Sequence, residues 1–342
     1  MTVFLTIDGS QGEGGGQILR SSLALSIITG TPIHIENIRA RRRRPGLMRQ
    51  HLTAVLAAAE VCQGHLEGAA VRSRELWFQP DAVRAGKYCF SVGTAGSTCL
   101  VFQTVLPALL MAEQPSRVTF EGGTHNPMSP PYDFLAQCFV PVLTRMGASV
   151  TLELERPGFY PAGGGRFTAV IAPWQEKRRI EMIESGAIRK RRARALVAQL
   201  DVGIARRELR VVRSELGWKE RECSVEVIDN SAGPGNVLFC HIERKQVSEV
   251  VTAFGEKGLR AERVGKKAAT AVRTYVDADV PVGAHLADQL LLPMALAGGG
   301  RYRTLPLSQH AETNRDIIRK FLDLDITVET KKETATVSIA ER

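Results

Sequence analysis

The chain has 342 residues, 44% of them hydrophobic and 24% charged, with a formal net charge of +9. That length carries two domains or one elaborate one, the composition excludes a disordered or fibrous chain, and no apolar run approaches the roughly 20 residues of a membrane helix. The start, Met1–Asp8, lacks the basic region of a signal peptide and meets an acid at once, so a cytoplasmic location is expected, and the positive charge favours nucleic acid or nucleotide as partner. Six scattered cysteines, none in a CxxC pair, argue against structural zinc or disulfides.

Residues 3–8 alternate and predict a strand. A glycine-rich turn, Gly9–Gln17, leads into a helix over Ile18–Ile28 that stops at Gly30. A strand over Ile33–Ile38, an arginine-rich loop to Pro45, a helix over 47–62 and strands near 66–79 and 87–92 follow. The first ninety residues thus read β-α-β-α-β-β. The pattern restarts with the turn Ser91–Ser97, the apolar helix Thr98–Met111, a strand at Val118–Glu121, a helix over 132–146, and strands at Val150–Glu155 and Arg166–Ile171. A third copy appears after residue 283, with helices at Ala284–Ala297 and Arg315–Leu322 and strands near 301–305, Ile326–Thr330 and Thr334–Ile339. Between them, residues 184–278 are more charged and carry their own strand–helix alternation. They predict an inserted α/β domain, leaving 1–183 and 279–342 as a core of three repeated modules. Three triple glycines, at 14–16, 163–165 and 298–300, are expected to serve as turn chemistry at one shared site.

The chemistry-bearing residues fall in a few stretches. Gly9–Gln17 follows a strand and opens a helix, where free N–H groups and the dipole favour an anion. It matches neither GxGxxG nor the Walker pattern. Glu13 within it repels phosphate, and makes sense if a divalent cation sits between them; the plain alternative is a solvent-facing carboxylate in a turn. Arg20 lies on the first turn of the following helix. Arg39, Arg42 and Arg44, with Gln50 and His51, form a basic wall suited to phosphate. A second basic run covers Arg189–Arg192 with Arg194. In the Pro-rich loop 125–134, Pro131 and Phe134 make either an apolar slot for a base or ordinary packing around a helix start. In the helix from His285, Asp288 suits ribose hydroxyls or merely the helix dipole. Leu307–Asn314 holds one imidazole, His310, in a polar run.

Taken together, these segments resemble the RNA 3'-terminal phosphate cyclases over essentially the whole chain. The match rests on Asp8–Arg20, Arg39-Ala40 with Pro45-Gly46-Leu47 and Arg49-Gln50-His51, Gly93–Ser97 through Gln103–Pro107, Gly158–Gly165, Leu286–Gln289, and His310 with Thr313-Asn314. The resemblance implies an α/β fold of three β-α-β-α-β-β modules like the C-terminal domain of translation initiation factor three, plus an inserted α/β domain. It implies ATP-dependent conversion of an RNA 3'-phosphate to a 2',3'-cyclic phosphate through a histidyl–AMP on His310. By the same resemblance Glu13 holds a divalent metal, Mg²⁺ or Mn²⁺, and Arg20, Arg39 and Arg42 neutralise phosphates. Gln50 and His51 lie near the RNA end. Gln103, His285, Leu286, Ala287, Asp288 and Gln289 bind ATP, with Pro131 and Phe134 at the adenine. His285 departs from the Tyr of some members, and Arg41 stands where some carry Gly. Two other readings are a noncatalytic cyclase-like protein and an enolpyruvyl transferase built from similar modules.

Overall fold

The computed structural model describes residues 2–341. Strand β1 (Leu5–Asp8), helix α1 (Gly16–Thr29), β2 (Ile33–Glu36), α2 (Arg49–Cys62), β3 (His65–Glu67) and β4 (Leu76–Gln79) build a first sheet of order β1-β2-β4-β3. The β1–β2 pair is parallel, while β2–β4 and β3–β4 are antiparallel. Next come β5 (Lys87–Ser91), α3 (Thr98–Leu110), β6 (Ser116–Gly122), α4 (Tyr132–Phe134), a π-helical turn at Leu135–Phe139, α5 (Val140–Arg145), β7 (Val150–Arg156) and β8 (Gly165–Ile171). Their sheet, β5-β6-β8-β7, repeats the order and directions of the first.

Strand β9 (Ile180–Met182) begins a third sheet, and the chain then leaves it. A separate sheet of order β11-β10-β12-β13 is formed by β10 (Ile188–Ala198), β11 (Cys223–Ile228), β12 (Gly235–Arg244) and β13 (Ser248–Phe254). Helices α6 (Gly203–Leu216) and α7 (Ala261–Asp277) pack together over it. The chain returns with α8 (Ala284–Leu296), β14 (Gly300–Thr304), α9 (Gln309–Phe321), β15 (Leu324–Lys331) and β16 (Thr334–Glu341). The third sheet, β9-β14-β16-β15, again has a parallel first pair and two antiparallel ones.

Two of the differences from the sequence expectation fall where the first module ends. The stretch 66–79 is two short strands, because Gly68 takes a left-handed turn (φ 79°) and reverses the chain before Leu76. Strand 87–91 pairs with β6, so it opens the second sheet and does not close the first. One apolar core runs through the three repeated sheets, with Phe102, Phe120, Phe167 and Tyr302 fully buried. Helix α1 is buried nearly all round because α2, α3 and α9 surround it. The β10–α7 unit has a second core of its own, around Trp218, Leu238, Val272 and Tyr275. Among the described residues, no helix is long and apolar enough to cross a membrane.

Candidate active site

The starts of α1, α2, α8 and α9 converge on one cavity of about 640 Å³. Helix α3, the Pro-rich loop 127–131 and strand β13 contribute much of the remaining wall. The volume suits a ligand of nucleotide size.

Its polar end is built by the first glycine loop. The carboxylate of Glu13 is almost wholly covered, with 3% of its side chain exposed. Its Oε1 accepts from the backbone N–H of Gln17 at 2.9 Å, a bond that closes the loop onto the first turn of α1. Its Oε2 accepts from Arg42 and lies 3.8 Å from Nδ1 of His310. Glycines here leave room for the functional side chains. A Cβ on Gly15 would sit 2.3 Å from the Glu13 carboxylate, and one on Gly16 would sit 2.6 Å from the Arg20 guanidinium and 2.8 Å from His51 Nε2.

The start of α9 locks onto this loop. Ser308 caps the helix by accepting from the N–H of Ala311 at 3.2 Å. Thr313 Oγ1 accepts from the Glu13 N–H at 2.9 Å and donates to the Gln309 carbonyl at 2.7 Å. Gln309 donates its side-chain amide to the Gly12 carbonyl at 2.9 Å. Asn314 donates to Asp288 at its carbonyl and carboxylate, 2.9 and 3.2 Å away, and accepts from Ser21 at 2.7 Å. Three chain segments far apart in sequence are thereby held together around His310, which remains exposed. Thr313 and Asn314 thus fix the loop around the imidazole.

Arg20, Arg39 and Arg42 are each held by protein partners. Arg20 accompanies Gln17, to which it donates at 2.9 Å, and lines the cavity. Arg39 sits in a left-handed turn (φ 53°) and donates to the carbonyls of Arg44 and Gly46 at 2.7 and 2.8 Å. These bonds shape the arginine loop. Arg42 also lines the cavity; the exposed Arg44 is absent from its wall. His51 accepts from the Met48 N–H at Nδ1, 3.2 Å away, which leaves Nε2–H facing the ligand space. Burial and the charges of Arg39, Arg20 and Arg42 push its pKa down to about 3, so it is a neutral donor at physiological pH. Gln50 accepts from the Ser97 N–H at 3.0 Å, tying the first module to the glycine turn of the second.

At the apolar end, Gln103, Pro131, Phe134, His285, Asp288 and Gln289 line the cavity. Leu286 and Ala287 do not. On α8, residues 284, 285, 288, 289, 292 and 293 share the cavity face, while Leu286 and Ala287 have no exposed surface and point into the core. Ala287 contributes its carbonyl, which accepts from the buried Tyr302 hydroxyl at 2.8 Å. Burial raises the Asp288 pKa, with the charges of His310 and Arg20 opposing it. Burial and the nearby His310 lower that of His285. The three triple glycines do not share the site: only Gly15 and Gly16 line the cavity. Gly163–Gly165 pack beside Ala95, Ala232 and Gly158, and Gly298–Gly300 turn α8 into β14.

Sequence reasoning missed one wall. Val250, Thr252 and Phe254 of β13, with Glu256 and Lys267, reach the cavity from the β10–α7 unit. Their alternate spacing marks a shared strand face, but does not say what that face meets. It also did not foresee that Arg194 pairs with Asp133, which is in turn 3.0 Å from Nε2 of the buried His125. His125 Nδ1 is 2.7 Å from Thr124 Oγ1. This chain of contacts anchors the Pro-rich loop to β10. Arg194 is therefore spent on a carboxylate of the core.

A family profile described as RNA 3'-terminal phosphate cyclase matches residues 11–328. The chain is 48% identical over 338 residues to a protein of that name from Koribacter versatilis, covering 99% of this chain and 95% of that one. It is 48% identical over 323 residues to the protein so named in Ectopseudomonas mendocina, covering 94% of each. With that of Salmonella agona it shares 43% identity over 342 residues, covering 100% of this chain and 99% of the other. The chain belongs to the RNA 3'-terminal phosphate cyclase family.

Proposed function

We propose that this protein is an ATP-dependent RNA 3'-terminal phosphate cyclase with His310 as its covalent nucleophile. The observation that carries the reading is the pairing of an exposed imidazole with a covered carboxylate, His310 Nδ1 to Glu13 Oε2 at 3.8 Å, at the arginine-lined end of a nucleotide-sized cavity. A proton on Nδ1, held toward Glu13, leaves the Nε2 lone pair free to attack phosphorus.

In the first step Nε2 bonds to the α-phosphorus of ATP, the bond to the β-phosphate oxygen breaks, and pyrophosphate leaves. An oxygen of the RNA 3'-phosphate then takes AMP from the imidazole, giving an RNA(3')pp(5')A anhydride. Last, the neighbouring 2'-OH attacks the RNA phosphorus, loses its proton and expels AMP. Adenylylation converts a poor leaving oxygen into AMP, and the ribose supplies its own nucleophile at high effective concentration. Arg20, Arg42 and the neutral Nε2–H of His51 offset the charge at phosphorus, with Arg39 holding the arginine loop. Pro131 and Phe134 would flank the base, while Gln103, His285, Asp288 and Gln289 contact the nucleotide.

The donor set fits a divalent ion of a particular kind. Among the described residues no group of three or more His, Cys, Asp or Glu could hold a metal. Glu13 alone would bind it, with phosphate oxygens and water completing the shell, as is usual for Mg²⁺. Such an ion would supply charge neutralisation at the phosphates.

Mass spectrometry of the intact protein, incubated with ATP and Mg²⁺, tests the reading. One acid-labile AMP per chain is expected, absent in His310→Ala, and discharged by an oligoribonucleotide with a 3'-phosphate. Wild-type protein that takes up no AMP would overturn the cyclase assignment; a loaded His310→Ala would overturn that of the nucleophile.

A further inference from the structure

The β10–α7 unit contributes more than a wall to the cavity. Helix α7 is amphipathic, with Ala261, Val264, Ala268 and Val272 buried. Its remaining surface divides in two. One edge is tied to α6: Glu262 pairs with Arg207 at 3.4 Å, and Arg273 pairs with Glu215 at 2.8 Å. The other face presents Arg263, Lys266, Lys267 and Thr270, at i, i+3, i+4 and i+7, along a shallow groove of about 340 Å³. All four are exposed. The groove has no acidic residue in its wall. Among the described residues, Arg263, Lys266 and Lys267 form no ion pair. Three unpaired cations on adjacent turns repel one another, at a small cost per pair, which an anion lying across them removes. Lys267 belongs to both places: it lines this groove and the main cavity. The basic face therefore reaches the main cavity at Lys267, on the wall formed by β13 and Glu256.

We propose that this face of α7 is a track for the RNA phosphate backbone upstream of the 3' end, with Lys267 at the junction. The inference rests on the reading of the cavity as an RNA-end site. The spacing suits a single strand: side chains three and four apart on a helix are about 5–6 Å apart at Cβ, so long cationic side chains reach successive phosphates. The contact is to backbone charge, so it carries affinity and no sequence preference.

The test uses the full chain and the double variant Arg263→Ala/Lys266→Ala, which leaves the cavity lining intact. AMP loading from ATP is expected at the wild-type level. KM for a 3'-phosphorylated oligoribonucleotide of about a dozen residues should rise, while KM for a 3'-phosphorylated dinucleotide, too short to reach the groove, should not. Loss of two contacts at about 0.7 each should lower the slope of log KM against log salt by about 1.4, so from about 50 to 200 mM salt the wild-type KM should rise about sevenfold more than that of the variant. Equal KM changes for the long and short substrates, no change for either, or an unaltered salt slope would overturn the track. Wild-type protein that takes no AMP would fell the cyclase reading itself, and the track with it.

Discussion

Glu249 offers a quantitative check on how the β10–α7 unit is joined to the rest of the fold. Its side chain leaves β13 and is 4% exposed, and its Oε2 has no hydrogen-bond partner. The carboxylate sits where a side chain at residue 283 would be: a Cβ on Gly283 would be 2.5 Å from it. The Gly283 N–H, at the start of α8, donates to it, but burial prevails and raises its pKa from the ordinary 4.5 to about 7. Tyr275 and Cys138 face the same spot, and each would ionise only to an anion, so neither can act as a countercharge to it. Because the folded-state pKa lies above the unfolded one, the folded chain holds this proton longer. Stability from this group is full below about pH 4.5 and is lost as pH rises through about 7. At about 1.4 kcal/mol per unit, the 2.5-unit difference between 4.5 and about 7 costs about 3 kcal/mol at alkaline pH. Glu208, with no exposed surface, is raised to about 7 mainly by burial, and makes a second contribution of the same sign. In Glu249→Gln the amide oxygen still accepts from Gly283, while the unpaired NH₂ costs about 1–2 kcal/mol. Urea midpoints between pH 5 and 8 should therefore cross: the variant falls below wild type at pH 5 and exceeds it at pH 8, and the difference between the two curves, in which Glu208 and the oppositely shifted His51 cancel, should change by about 2–3 kcal/mol. A variant with the wild-type slope, or one less stable than wild type at pH 8, would refute the argument.

Two further substitutions probe the site and its supports. Gly16→Ala places a methyl against Arg20 and His51, at 2.6 and 2.8 Å. Its backbone needs no left-handed angle, so unfolding should barely change, while the ATP concentration for half-maximal AMP loading rises at least about tenfold. Loading at wild-type ATP concentrations would show that these two side chains do not meet the phosphates. Arg194→Met leaves Asp133 buried beside His125 without its cationic partner. Removing one member of a buried pair costs about 3–5 kcal/mol, and the lower figure applies because Arg194 keeps a quarter of its side chain exposed. Adding Asp133→Asn should return part of that stability in denaturation curves. A single variant as stable as wild type would show the contact to be incidental.

Local physics accounts for what could be read from sequence. Helix α1 is announced by a glycine loop before it and Gly30 after it, and Gly30 does take the left-handed angle that ends the helix. Glu13 stands out because a carboxylate is misplaced in an anion cradle, and the fold places it beside His310. Where the reading failed, the missing information was non-local. That 87–91 opens a sheet instead of closing one depends on pairing with β6, about thirty residues on. Leu286 and Ala287 were grouped with their neighbours by motif, yet a helix turns consecutive residues to different sides, and the packing of Tyr302 against α8 decides which side is the core. Strand β13 is the clearest case. Val250, Thr252 and Phe254 occupy alternate positions and therefore share one face, but the same face would serve equally well against a helix or solvent. It meets the cavity only because the unit leaves the third module after β9 and returns at α8, which brings β13 against α4 and the π-helical turn at Leu135–Phe139. The residues of that wall are ordinary; their position in the topology gives them a role at the site.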